Sequence, residues 1–166
     1  KGVRLIKTNY QPIEWLGNRV KILDQTRLPH EEVYLESSSY QDVASAIKEL
    51  KIRGAPAIGV AAAYAIALGS LEIQTSSTKN FREKLRLVTE TIAATRPTAR
   101  NLFQAIERMQ QVIDAGKKVA EIKTGLVQEA VKIHQAEAEA TEELSRLGAE
   151  LIQDGFTILT HCNTGP

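Results

Sequence analysis

Residues 119–151, VAEIKTGLVQEAVKIHQAEAEATEELSRLGAEL, decide the fold class. Ile122, Leu126, Ala130, Ile133, Ala136, Ala140, Leu144, Leu147 and Leu151 follow one another at steps of three or four for about eight turns. That spacing lines a single face of an α-helix, so a long amphipathic helix is predicted here. Asp154-Gly155 closes it, and the apolar run Phe156-Thr157-Ile158-Leu159-Thr160 then reads as a strand.

Upstream, the same period recurs in shorter stretches. Leu102, Ile106, Met109 and Ile113 predict a helix with Gly116 beyond its end, and Leu85, Val88 and Ile92 predict another that Pro97 stops. Residues 57–71 carry no charge and are mostly small and apolar. They fall short of the roughly 20 residues that span a bilayer, so a buried helix starting at Pro56 is expected. Ser39 followed by Asp42 marks another helix start, with Val43, Ile47 and Leu50 as its apolar stripe and Gly54 past its end. The first forty residues hold the β-like pieces Val3-Arg4-Leu5-Ile6, Ile13-Glu14-Trp15-Leu16 and Val20-Lys21-Ile22-Leu23, broken by Pro12, Gly17-Asn18 and Pro29. The expected architecture is mainly α with a small N-terminal antiparallel sheet. Residues 1–150 would form the helical domain, and 151–166 the first strand and turn of an α/β domain.

Twenty-one Lys and Arg against twenty Asp and Glu leave a net charge of +1, which argues against a nucleic-acid groove and leaves room for a small anion. One cysteine forms no internal disulfide, and no signal-peptide pattern opens the chain, so a reducing, cytoplasmic setting is expected.

Arg53-Gly54-Ala55-Pro56 combines what an anion site needs: a planar guanidinium, a glycine that lets backbone N–H groups approach, and a helix N-terminus. An ordinary helix-to-helix turn has the same composition. Arg96-Pro97-Thr98 repeats the arrangement, and two such sites could hold opposite ends of one small ligand. Cys162 follows the last apolar run, where open α/β sheets place ligands, although free cysteines are also common packing residues. His161 would point to the opposite face of that strand, as a packed or orienting side chain. His134 sits at the edge of the long helix's apolar stripe and reads as a core-edge residue. Glu137, Glu139, Glu142 and Glu143 read as a solvated face. With His30, His134, His161 and one cysteine at no metal-like spacing, no metal site is expected.

Several longer strings are more specific. Arg53-Gly54-Ala55-Pro56-Ala57-Ile58-Gly59, Arg96-Pro97-Thr98-Ala99 with Asn101-Leu102-Phe103, Ala105-Ile106-Glu107-Arg108-Met109, and Thr160-His161-Cys162-Asn163-Thr164-Gly165 resemble, in order, the signature segments of the methylthioribose-1-phosphate isomerase family. Leu23-Asp24-Gln25 with Leu28-Pro29 fits as well. The wider superfamily includes ribose-1,5-bisphosphate isomerase and regulatory subunits of the translation initiation exchange factor. The resemblance implies a helical domain followed by a Rossmann-like domain, a site between them, and a homodimer. It implies an aldose–ketose isomerisation of a sugar phosphate in methionine salvage, without metal or redox cofactor. Carried over by position, Arg53, Gly54, Ala55 and Arg96 would bind substrate and Cys162 would be catalytic. The family's catalytic aspartate belongs to the C-terminal half, beyond Pro166, so these 166 residues would be inactive by themselves.

Overall fold

The computed structural model describes residues 11–161. The β-like piece at residues 3–6, Cys162 and the turn at 163–165 lie outside the described residues. Three short strands come first: β1 (Ile13–Trp15), β2 (Val20–Leu23) and β3 (Tyr34–Ser37), antiparallel in the order β1-β2-β3. Ile13 pairs with Ile22 and Trp15 with Val20, which turns the apolar residues of both strands onto one face. Gly17, at φ 89°, allows the turn between them. β3 has no clean apolar alternation and is held instead by register, Val20 opposite Ser37 and Leu23 opposite Tyr34.

Five helices follow among the described residues: α1 (Tyr40–Lys48), α2 (Ala55–Glu72), α3 (Thr78–Ala93), α4 (Arg100–Ala115) and α5 (Val119–Ala149). The architecture is mainly helical with a small N-terminal sheet, as the sequence leads one to expect.

α2 is the centre. It packs against β1 and all four other helices, and every residue from Ile58 to Ser70 is buried, which explains why it is apolar on all sides. Its small residues admit close neighbours: a Cβ on Gly69 would lie 2.5 Å from a Val88 methyl. At 18 residues it extends past residues 57–71 at both ends, and it is the helix among the described residues apolar and long enough to cross a bilayer. Burial inside the protein accounts for that composition.

Helix directions follow from cross-helix contacts. Tyr64 meets His134 while Lys123 reaches the carbonyls of Leu71 and Ile73, so α2 and α5 are antiparallel. Arg108 pairs with Glu129 and Gly125 faces Val112, so α4 and α5 are antiparallel as well. α2 and α4 therefore run parallel, and their N-termini share one end of the bundle.

Four expectations need correction. Leu50 is not part of the α1 stripe: it adopts φ 61° just past the helix and is 45% exposed, while Ile52 fills the core position. The chain reverses through Lys51 and Ile52 N–H groups bonded to the Ala46 carbonyl, which swings Leu50 outward. Gly54 does not end α1 but is the N-cap of α2, which begins at Ala55 rather than Pro56. The α5 stripe is real over its first half only: Ile122, Leu126, Ala130 and Ile133 are buried, whereas Leu144 is 73% exposed. Periodicity makes a helix amphipathic; it does not supply a partner for the face. Residues 156–160 form no strand among the described residues and lie exposed, with Leu159 at 97%. A strand needs a neighbour to take its backbone hydrogen bonds, and the described residues offer none along this segment.

Candidate anion-binding end of the helical domain

The shared end of α2 and α4 is where the predicted ligand residues fall. Gly54 caps α2 at φ 92°, ψ 131°, a conformation that residues with a Cβ avoid. This cap offers no side-chain acceptor, and no acidic residue occupies the first turn. α4 is alike: its N-cap is Ala99, again without a side-chain bond and without an acid in the first turn. Neither helix has a side chain on its first N–H groups or an acid facing the positive end of its dipole, though the Leu102 N–H in α4 turns back onto the Ala99 carbonyl at 3.0 Å.

The two openings adjoin. A Cβ on Gly59 would come 3.0 Å from the Asn101 carbonyl oxygen, tighter than ordinary contact, so a glycine here eases the approach of α4. Gly59 lies about 6 Å along the axis from Ala55 at 1.5 Å per residue. Asn101 is in the first turn of α4, just past the Arg96-Pro97-Thr98 loop. Arg53 and Ala55 are exposed and Gly54 and Arg96 half-buried, so all four are accessible at this end. The loop is closed by the Ala99 N–H on the Arg96 carbonyl at 3.0 Å. Arg53 and Arg96 bring fixed positive charge to the openings, and Arg100 adds a third guanidinium at the first position of α4.

Sequence reasoning did not find the neighbouring cleft. A cavity of about 310 Å³ opens between α2, α4 and α5, lined by Gly59, Asn101, Gln104, Arg108, Ile133 and Glu137 among others. The one available signal was a glycine early in an otherwise apolar helix.

Cys162 lies outside the described residues, so its place relative to this end is not part of the described structure. His161 is exposed rather than packed, because no strand holds it. His134 is half-buried at the core edge, sharing a 2.7 Å hydrogen bond between Nδ1 and the Tyr64 hydroxyl. Tyr64 stacks on Trp15 at 5.1 Å, which joins β1, α2 and α5. Burial lowers the His134 pKa and pushes the Tyr64 hydroxyl far above its usual range. Of the acidic run on α5, Glu139, Glu142 and Glu143 face solvent, with Glu143 paired to Arg146 and its pKa lowered by that bond, whereas Glu137 is half-buried and lines the cleft. Among the described residues no group of three His, Cys, Asp or Glu is placed to hold a metal ion.

The described residues form a helical domain with two adjoining helix N-termini that lack side-chain caps and have arginines beside them in the chain, an arrangement suited to an anion. The model of the initiation factor 2 subunit family matches residues 51–166, and the chain belongs to that family. Proteins named methylthioribose-1-phosphate isomerase are similar along most of it. One from Dehalococcoides mccartyi is 58% identical over 93% of this chain and 46% of its own length. One from Geobacter sulfurreducens is 47% identical over 95% and 46%. Among solved structures, 5-methylthioribose 1-phosphate isomerase from Pyrococcus horikoshii superposes with a TM-score of 0.82 at 33% identity, covering 89% of this chain and 44% of that one. The delta subunit of translation initiation factor eIF-2B from A. fulgidus gives 0.79 at 38% identity, covering 87% and 42%. The chain thus spans about half the length of the relatives it matches.

Proposed function

We propose that the complete protein isomerises 5-methylthioribose 1-phosphate to 5-methylthioribulose 1-phosphate in methionine salvage, as a cytoplasmic homodimer. The observation that carries this reading is the coincidence of the open α2 and α4 N-termini with the family strings at Arg53–Ala55 and Arg96, in a chain 58% identical to a protein of that name. The substrate phosphate sits across the two openings. Arg53 and Arg96 neutralise it, and the N–H groups after Gly54 take its oxygens. Fixing the phosphate holds the sugar's C1 and C2 in one place, which is the larger part of what positioning contributes.

In the reaction the ring bond between C1 and oxygen breaks and the ring oxygen takes a proton. One hydrogen moves from C2 to C1, and the C2 hydroxyl becomes the carbonyl. Cys162 acts as base or stabiliser of the transition state, and a carboxylate from the remainder of the protein supplies the acid. The exposed second half of α5 and the apolar residues Phe156, Ile158 and Leu159 support a second domain of Rossmann type, packed on that face. These 166 residues alone would then be inactive.

The test is turnover of the substrate by the full-length protein, with Cys162→Ser and Arg96→Ala beside it. Both variants should lose activity, Cys162→Ser chiefly in kcat and Arg96→Ala chiefly in KM. Normal turnover in the folded Cys162→Ser protein would remove the thiol from the mechanism. One observation favours a second reading, a regulatory subunit that binds sugar phosphate or nucleotide without turnover: identity to the eIF-2B delta structure exceeds that to the isomerase structure, 38% against 33%. Phosphate binding without any isomerisation would select it.

A further inference from the structure

We propose that Asp24 is a positioning residue for the Arg53-Gly54 turn, acting through a backbone clip between the loop after β2 and the connection from α1 to α2. The inference rests on the anion-site reading above. Asp24 is 7% exposed, and the other buried polar side chain among the described residues, Ser70, simply bonds its own helix. A buried carboxylate is costly unless its oxygens are engaged. Here Oδ1 accepts from the Thr26 N–H at 3.0 Å and from the Thr26 hydroxyl at 2.6 Å. The Asp24 backbone is held as well, its N–H donating to the Val33 carbonyl at 2.8 Å and its carbonyl accepting from the Arg27 N–H at 3.2 Å. The result is a closed turn in which one residue's direction is fixed.

That residue is Gln25, whose N–H donates to the Lys51 carbonyl at 3.0 Å. Lys51 stands two positions ahead of Arg53 in a connection that has no regular secondary structure. On the α1 side, this connection is held by the Lys51 and Ile52 N–H groups on the Ala46 carbonyl, at 2.9 and 3.3 Å, and by the fully buried Ile52 side chain. The Gln25 bond ties it to the sheet. Without that tie the Lys51–Ile52 peptide is held only from the α1 side, by its 3.3 Å N–H bond to Ala46, and any tilt it takes is carried through Ile52 to Arg53 and to Gly54, whose φ of 92° aims the start of α2. The Asp24 charge also acts on the Lys51 ammonium, whose pKa is raised mainly by its hydrogen bond to Glu49 and less by Asp24.

The experiment uses the full-length protein and two readouts: the dissociation constant for inorganic phosphate, and amide hydrogen exchange over residues 51–55. Asp24→Ala should weaken phosphate binding roughly tenfold, the scale of a sub-ångström misplacement, and accelerate exchange in the same segment. Asp24→Asn keeps an acceptor oxygen for Thr26 and should restore both to within about twofold of wild type. A folded Asp24→Ala protein with unchanged phosphate affinity overturns the inference. So does an Asp24→Asn protein as impaired as Asp24→Ala, because the charge and not the clip would then matter. Should Asp24→Ala fail to fold, Thr26→Val deletes only the 2.6 Å hydroxyl bond and should show a smaller weakening of about threefold; unchanged affinity there also overturns it. Absence of phosphate binding in the wild type would instead sink the anion-site reading, and is recognised without reference to any variant.

Discussion

The two ends of the helical bundle treat their backbone charges in opposite ways. At the end where α2 finishes and α3 and α5 begin, the termini are tied internally. Arg82 donates to the carbonyls of Ile113, Asp114 and Gly116 at the end of α4. Lys123 does the same for Leu71 and Ile73 at the end of α2. Ser77 caps α3, and the Glu121 carboxylate accepts from the Lys117 and Lys118 N–H groups at the start of α5. Ser39 caps α1 there too, and Glu72 accepts from the Tyr40 N–H. At the other end α2 and α4 start at Gly54 and Ala99 with no side-chain cap among the described residues, no acid in the first turn, and arginines nearby in the chain. One end is electrostatically finished; the other, on the proposed reading, takes the ligand. Stability and binding should therefore separate by end under mutation.

The largest effect is expected at the contact that joins the two openings. Gly59→Val forces a side chain against the Asn101 carbonyl and should cost about 2–3 kcal/mol, read by denaturant unfolding, together with phosphate affinity. At the finished end Arg82→Ala removes three carbonyl contacts from an exposed side chain and should cost about 1–2 kcal/mol while leaving phosphate affinity intact. Ser77→Ala should cost about 1 kcal/mol, again without change in binding. A shift in phosphate affinity in either of these two would break the separation.

The smallest effect concerns His134, midway between the ends. Its folded pKa lies below the unfolded value of about 6.5, so the unfolded chain takes up the proton first. The stabilising contribution is complete above about pH 6.5 and declines as pH falls toward the folded pKa. His134→Gln should flatten that part of the stability profile; an unchanged profile would remove His134 as its source.

The helices were legible because burial repeats at the helical period: Phe81, Leu85, Val88 and Ile92 in α3, Leu102 and Met109 in α4. β3 was not, since Tyr34 to Ser37 are held by register against β2 rather than by an apolar pattern of their own. Leu50 and Ile52 exchange roles because a left-handed residue after α1 reverses the chain, which hydropathy does not encode. For the site, Arg53, Gly54 and Arg96 were visible as chemistry, whereas Ala99 as the N-cap of α4 was not. Their adjacency was not, because it depends on α2 and α4 running parallel and on one glycine, Gly59, meeting Asn101. The Tyr64–His134 bond joins residues 70 apart and left no trace in local sequence.

Ala99→Asp tests the central claim most directly, because it supplies the cap that α4 lacks. Phosphate titrated calorimetrically into the full-length wild type and this variant should show affinity falling at least about tenfold while stability rises by about 0.5–1 kcal/mol. Undiminished phosphate binding in a more stable Ala99→Asp protein would contradict the account, for the α4 N-terminus would then not be where the anion sits.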